Sequence, residues 1–335
     1  MRINKITIQN YKCFENQTFE FTKPFTVITG FNGKGKTSIL DALALSMSAY
    51  TAGIDGISQR QLRKDEIRLN NENEYQLPVS ITVEGDIKSI TMVWEINVTT
   101  QTGTIKKQKS SELIKIATED TQKVRQNAPV LLPVLIQFNK FNDFSKNSFD
   151  KKRIDYQKAG SRLDAYQNSL QGKLNQDFLS WYKTYEDEAQ KFQHPKDIEK
   201  LDAFNTAVLS VLKDYDWKTM NFSNRDNDLK GTLNSGLQIN YSTQISAGHR
   251  VLINLIADIA YHCIILNPQL GINTCTESEG IVLIDEIQNS IDKPTQQKLL
   301  GYLHIVFPKI QFIIATHSEY IVNDSNKDFV QKIEI

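Results

Sequence analysis

Cysteine is scarce in this chain. Cys13, Cys263 and Cys275 are its only three in 335 residues, and no two form a C-x-x-C pair. So odd and scattered a set builds neither a disulfide framework nor a zinc site. It fits a reducing compartment, and a cytoplasmic location is expected. An excess of one charge sign is also missing: Lys plus Arg and Asp plus Glu both count 39, for a formal net charge of zero. No whole-molecule field draws the protein to nucleic acid or anionic lipid, so DNA binding would need a local patch or a groove between two copies. No apolar run approaches the roughly 18 residues that span a bilayer, and even Val251 to Leu266 is interrupted by Asn254, Asp258 and His262. The opening Met1-Arg2-Ile3-Asn4-Lys5 alternates polar with apolar residues and does not read as a signal peptide. Internal repeats and low-complexity tracts are lacking, and no heptad pattern persists long enough for a coiled-coil arm.

What remains is ordinary globular composition, 40% hydrophobic and 23% charged, which supports a sizeable core. Ile3 to Ile8, Thr18 to Thr22 and Phe25 to Ile28 are predicted strands, the last feeding a glycine-rich turn. Ser38 to Tyr50 is a predicted helix. Residues 54–77 read as a polar loop with one short helix. Val79 to Val83 and Ser89 to Val98 read as a hairpin turning at Gly85-Asp86. A basic stretch follows, with Lys106, Lys107, Lys109, Lys115, Lys123 and Arg125. Val130 to Gln137 is a buried-type strand, with Pro133 out of place in a central one. Residues 163–216 read as mainly helical, divided at Pro195. Then come a short strand to Tyr241, a helix from about Gly248 to Leu266 and a polar loop to Gly280. Ile281 to Ile284 is an all-apolar strand of the kind buried on both faces, Ile310 to Ala315, apolar but for Gln311, is read as another, and Phe329 to Ile335 is a terminal strand.

Chemistry concentrates in Gly30-Phe31-Asn32-Gly33-Lys34-Gly35-Lys36-Thr37, a full G-x-x-x-x-G-K-[ST] motif set between a strand and a helix. Successive amides of such a loop, with Ser38 next along, form a nest for phosphates at a positive helix terminus. Lys36 reaches the β- and γ-phosphates of ATP, and Thr37 ligates Mg²⁺. Ile281 to Ile284 ends in Asp285-Glu286. Asp285 can hold Mg²⁺ through a water, and Glu286 can polarise the attacking water. An acidic strand end is commonplace by itself; beside a complete phosphate loop it is informative.

Further motifs resemble those of ABC ATPases. Ile245-Ser246-Ala247-Gly248-His249 resembles the signature Leu-Ser-Gly-Gly-Gln, keeping the Ser and the second Gly; the plain alternative is a helix N-cap by Ser246. Thr316-His317-Ser318 resembles the switch-histidine motif. Asn289-Ser290-Ile291-Asp292 resembles the D-loop. Gln137 is the candidate Q-loop glutamine, a γ-phosphate sensor and Mg²⁺ ligand, with Asn139 and Asn142 close enough to serve instead. The opening Ile6-Thr7-Ile8-Gln9-Asn10-Tyr11-Lys12-Cys13-Phe14 resembles the start of the SMC-, RecF- and OLD-like branch. Ile245 to Leu252 with Asp258-Ile259, and Ser161 to Tyr166 with Phe178 to Trp181, are similar to the group within it that holds ATPase subunits of anti-phage systems such as Septu and PARIS.

The resemblance implies an α/β, ABC-type P-loop fold in a single domain of two lobes, with a mixed sheet and flanking helices. Residues 1–137 would form the P-loop lobe with an antiparallel β subdomain, 138–245 a helical insertion, and 246–335 the signature, acidic-pair and switch-histidine portion. It implies a homodimer closed around two ATP·Mg²⁺, with Ser246, Gly248 and Asp292 facing the partner's nucleotide. Glu286, His317 and Gln137 would act in hydrolysis. No tail long enough for a Toprim nuclease follows the last strand and no His-Asn-His pattern appears, so any nuclease is expected in a partner protein. Ala247, His249 and Lys293-Pro294 depart from the family pattern. A repair or recombination ATPase acting on DNA through Lys106 to Arg125 and Lys151-Lys152-Arg153 is the alternative reading, and a transporter subunit a more distant one.

Overall fold

A computed structural model describes residues 1–57, 59–103, 105–106, 110–139, 161–172, 177–324 and 328–335. Lys107, Lys109, Asn142, Lys151, Lys152 and Arg153 lie outside the described residues.

The chain opens with β1 (Arg2–Tyr11), β2 (Phe14–Glu20) and β3 (Phe25–Thr29), then α1 (Lys36–Thr51). A register shift between Ile3 and Lys5 lets Ile3 and Ile6, an odd number apart, both be buried. Helix α1 is buried almost all round, which is why apolar residues are spread around it and are not confined to one stripe. Next come β4 (Val79–Ile87) and β5 (Ile90–Val98), joined not at Gly85-Asp86 but at Lys88-Ser89. Both turn residues have positive φ, 50° and 64°, as a two-residue hairpin of the right twist requires. Gly85 instead lies inside β4, where a Cβ would come within 2.3 Å of the Arg2 carbonyl oxygen and 2.9 Å of the Trp94 ring. This glycine serves close strand approach, not a turn. With β6 (Ile105–Lys106), these strands make an antiparallel sheet in the order β2-β1-β4-β5-β6.

The basic stretch hides a helix, α2 (Ser111–Arg125). Its lysines masked a helical spacing of buried Leu113, Ala117 and Val124. Buried Asp120 on the same helix accepts from the Tyr50 hydroxyl of α1 at 2.8 Å and pairs with Lys88. The strand β7 (Val134–Phe138) begins just after Pro133, whose missing N–H thus stays out of the ladder.

Helices α3 (Asp177–Phe192) and α4 (Pro195–Leu212) follow, Pro195 standing in the first turn of α4 where its ring is tolerated. Trp181 and Tyr182 of α3 each sit 5.3 Å, centroid to centroid, from Phe204 of α4. The region read as a helical insertion also carries β8 (Trp217–Ser223), β9 (Asp228–Leu233) and β10 (Gln238–Asn240), a three-stranded antiparallel sheet of which the sequence pattern marked only the last strand. After the short α5 (Tyr241–Gln244), α6 (Ala247–Leu266) is long and apolar enough to cross a membrane by length and composition, against the sequence expectation. In this fold 78% of that stretch is buried inside the chain, so it is a core helix.

The chain ends with α7 (Thr274–Glu277), β11 (Gly280–Asp285), α8 (Lys293–Val306), β12 (Ile310–Ala315), α9 (Glu319–Asp324) and β13 (Val330–Glu334). A parallel sheet runs β13-β3-β12-β11-β7. Every residue of β7, β11 and β12 is buried, which explains their mainly apolar character; Gln311 inside β12 is satisfied by the Ile3 N–H and carbonyl, each at 2.8 Å.

Arg162 ties the segment ahead of α3 to this core. Its guanidinium donates to the Leu266 carbonyl at the end of α6 and to the Val130 carbonyl ahead of β7, each at 2.8 Å. Arg162→Met leaves these carbonyls without their charged donor. A loss of roughly 1–3 kcal/mol in unfolding free energy is expected, read as a lowered urea midpoint.

Candidate nucleotide site

Parallel strands place their carboxyl ends together, and here three of them carry the chemistry. Ile28 of β3 stands level with Ala315 of β12, and Ala315 with Asp285 of β11. The phosphate loop, the acidic pair and Thr316-His317-Ser318 therefore leave the sheet side by side.

The loop from Gly30 enters α1 through Gly35, whose φ of 102° is left-handed. A Cβ there would lie 2.6 Å from both Cys13 Sγ and Phe14 Cζ, so the position admits only glycine. The first-turn amides of α1, from Lys36, Thr37 and Ser38, point into the loop. Lys36 Nζ donates to the carbonyls of Gly30 (3.0 Å) and Phe31 (3.1 Å) and lies 3.4 Å from His317 Nδ1. Asn32, Gly33 and Lys34 form the exposed crest, and Phe31 beside them is 81% exposed.

Asp285 is buried at the end of β11, and Thr37 Oγ1 donates to its Oδ2 at 2.8 Å. Its Oδ1 is buried with no hydrogen-bond partner among the described residues. A hydroxyl and a carboxylate with one open oxygen are hard oxygen donors of the kind Mg²⁺ takes, so the residues present fit that ion. Burial pushes the Asp285 carboxyl up to about 6, helped by neighbouring Glu286 and Asp41, although the Thr37 hydrogen bond and Lys36 oppose it.

Glu286 sits at φ 53° and donates its N–H to the Ala315 carbonyl at 3.0 Å. Its Oε1 lies 3.1 Å from His317 Nε2, and the Gln288 side-chain amide donates to Oε2. One imidazole tautomer serves both contacts of His317: Nε2–H donates to Glu286 while Nδ1 accepts from Lys36. Lys36, Thr37, Asp285, Glu286 and His317 thus form one cluster. An open cleft of about 890 Å³ beside it is lined by Asn32, Glu286, Gln288, His317, Ser318 and Tyr320.

Other sequence candidates are placed differently. Ser246 caps α6, accepting from the His249 N–H at 3.3 Å, and is exposed. At Gly248 a Cβ would stand 3.4 Å from the Asp292 nitrogen and 3.5 Å from Ile291 Cα, so the signature turn abuts the 290–292 turn of the same chain. Asp292 caps α8 by accepting from the Thr295 N–H at 3.0 Å. These contacts lie within the chain and not on its own phosphate loop. Gln137 is buried in β7 opposite Leu283, and its amide donates to Asp41 Oδ1 at 2.9 Å. Asn139 sits against Gly172.

Asp41 was missed in the sequence, although it stands four residues after Thr37, one turn along α1. It pairs with Lys12 at 2.5 Å and Arg60 at 3.1 Å, and both cations also reach buried Glu66. Burial alone would raise the Asp41 carboxyl, but Arg60 and Lys12 outweigh it and hold the carboxyl below its ordinary value. The basic residues of α2 do not make a surface of one sign: exposed Lys115 and Lys123 alternate with exposed Glu112 and Glu119, and Arg125 pairs with Asp55 at 2.9 Å.

A carboxyl raised on folding favours the folded state only while protonated. Asp285 therefore costs stability as pH rises from about 4, where the unfolded chain titrates, through about 6. Relative to the unchanged protein, Asp285→Asn should gain up to roughly 3 kcal/mol between about pH 4 and pH 7. Paired urea titrations at the two pH values measure it, and no pH-dependent difference would contradict the burial of this charge.

A protein-family comparison matches residues 5–216 to the AAA domain. Among curated proteins, the chain is 24% identical to the "Retron Vc95 probable ATPase" of Vibrio cholerae serotype O1 biovar El Tor, over 99% of this chain and 73% of the relative. It is 26% identical to the "Retron Ec83 probable ATPase" of Escherichia coli, over 96% of this chain and 69% of that relative. Among solved structures, an SMC head bound to the C-terminal winged-helix domain of ScpA superimposes with a TM-score of 0.58 at 14% identity, covering 100% of this chain and 94% of the other. The fold is that of an ABC-type SMC head, and the chain belongs to the AAA-domain family.

Proposed function

We propose that the protein binds ATP with Mg²⁺ and hydrolyses it, and that two copies close head to tail around two nucleotides. The convergence of Lys36, Thr37, Asp285, Glu286 and His317 at three parallel strand ends carries this reading. Amides of Gly33 to Ser38 and the Lys36 ammonium bind the β- and γ-phosphates. Thr37 and Asp285 would hold Mg²⁺, which when bound offsets the negative charge of the phosphates. Glu286 accepts the proton of the attacking water, and His317 turns between Glu286 and the γ-phosphate. Gln137, fastened to Asp41 one turn below Thr37, supports the site from β7 and is the γ-phosphate sensor to test. Ser246, exposed at the amino end of α6, and half-buried Gly248 beside it face the nucleotide of the second copy. Asp292, capping α8 beside them, lies at the same junction.

The names of the retron relatives support a place in anti-phage defence. In this reading ATP-dependent closure gates an effector, a nuclease carried by a partner protein. Direct action on DNA is less well supported, because α2 presents mixed charge.

Glu286→Gln keeps the shape of the base but cannot take a proton. The variant should bind ATP, lose at least about 100-fold in turnover and accumulate as an ATP-held dimer. Nucleotide retention and mass measured by light scattering read it. A variant that turns over ATP normally, or stays monomeric with ATP bound, defeats the mechanism. Ser246→Arg should bind ATP as a monomer and not dimerise.

A further inference from the structure

We propose that Gln288 is the positioning residue for Glu286, acting through that carboxylate and not on ATP itself. The inference rests on the reading of Glu286 as the base. Gln288 follows Glu286 by two residues, in the short helical turn Ile287–Asn289. Its side chain joins two strand ends: the amide N–H donates to Glu286 Oε2, and its Oε1 accepts from Thr316 Oγ1 at 2.6 Å.

The direction of this amide is fixed by counting protons. A carboxylate accepts and cannot donate, so the Gln288 NH₂ must face Glu286. The Gln288 oxygen then faces Thr316, whose hydroxyl gives it a proton while accepting the Ser318 N–H at 3.0 Å. Thr316 is fully buried and donates its N–H to the Ile28 carbonyl at 3.0 Å, which fixes it to the end of β3. The backbone of the turn is held as well. Gln296 Nε2 donates to the Gln288 carbonyl (3.1 Å) and the Ile291 carbonyl (2.8 Å), and Gln296 Oε1 accepts from Ser318 Oγ at 2.5 Å.

Glu286 is therefore held at both oxygens, by His317 at Oε1 and by Gln288 at Oε2. The two holds differ in kind. His317 sits between Lys36 and Glu286 and turns to the γ-phosphate in the proposed cycle. Gln288 is anchored to buried backbone through Thr316 and has no such second duty. When the imidazole leaves, Gln288 keeps the carboxylate aimed, and aim is worth rate without being worth affinity.

The test is ATP hydrolysis by the full chain under steady-state conditions, across ATP concentration. Gln288→Met keeps length and removes the donor; it should lower kcat about tenfold or more and leave KM unchanged. Thr316→Val should lower kcat less, and the double variant should match Gln288→Met alone, because Thr316 acts through Gln288. A kcat within about twofold of the unchanged protein, or a KM that rises as kcat falls, overturns the proposal. If Gln288→Met does not fold, Gln288→Glu, of the same shape but with no N–H to donate, is judged by the same criteria. Glu286→Gln is run in parallel. Normal turnover there removes the base reading and this inference with it. An inactive Glu286→Gln beside a fully active Gln288→Met overturns the role of Gln288 alone.

Discussion

The lateral register of three parallel strands is the constraint on which the site depends. Ile28, Ala315 and Asp285 stand level across β3, β12 and β11. A slip of one residue in either pairing would turn alternate side chains to the opposite face of the sheet. Thr37 and Asp285, 248 residues apart in sequence, meet at 2.8 Å because of that register. The same pairing lets the Glu286 N–H reach the Ala315 carbonyl, which supports the unusual left-handed backbone at Glu286.

The site balances opposed electrostatic demands. Asp285 must be buried to sit beside Thr37, and burial raises its carboxyl to about 6. Around Asp41, one turn along α1, two cations and a glutamine amide more than offset the same penalty. The difference follows function in the proposed reading. Asp41 is a finished structural ion-pair network, while Asp285 keeps one oxygen open, and an open oxygen on a buried acid is a favourable place for a divalent cation.

Much of this was legible in the sequence, for a physical reason. The phosphate loop, the acidic pair and the histidine lie where backbone geometry dictates residue type, so their spacing survives as pattern. Both core strands Ile281 to Ile284 and Ile310 to Ala315 were legible because burial on two faces leaves no polar alternation beyond the single Gln311. Illegible features depended on tertiary partners. Helix α2 was obscured because lysines fill its solvent face, and only α1 reveals what Leu113, Ala117 and Asp120 pack against. Gly85 looked like a turn because Trp94 and Arg2, which require its small size, come from other strands. Strands β8 and β9 escaped notice among short mixed stretches such as Asn221 to Asp228. Gln137 stood out by position, but its Asp41 partner lies 96 residues away and no local spacing signals that contact.

Gly248 has a wider consequence. The amino end of α6 rests directly on the 290–292 turn, and that turn continues back through Gln288 to Glu286. In the proposed head-to-tail pair, the surface that one chain would offer to its neighbour's nucleotide is thus fastened to Glu286, its own proposed base. The two sites would be coupled like links of a chain under tension: a load placed on α6 at one site arrives, within a few residues, at the acid of the other.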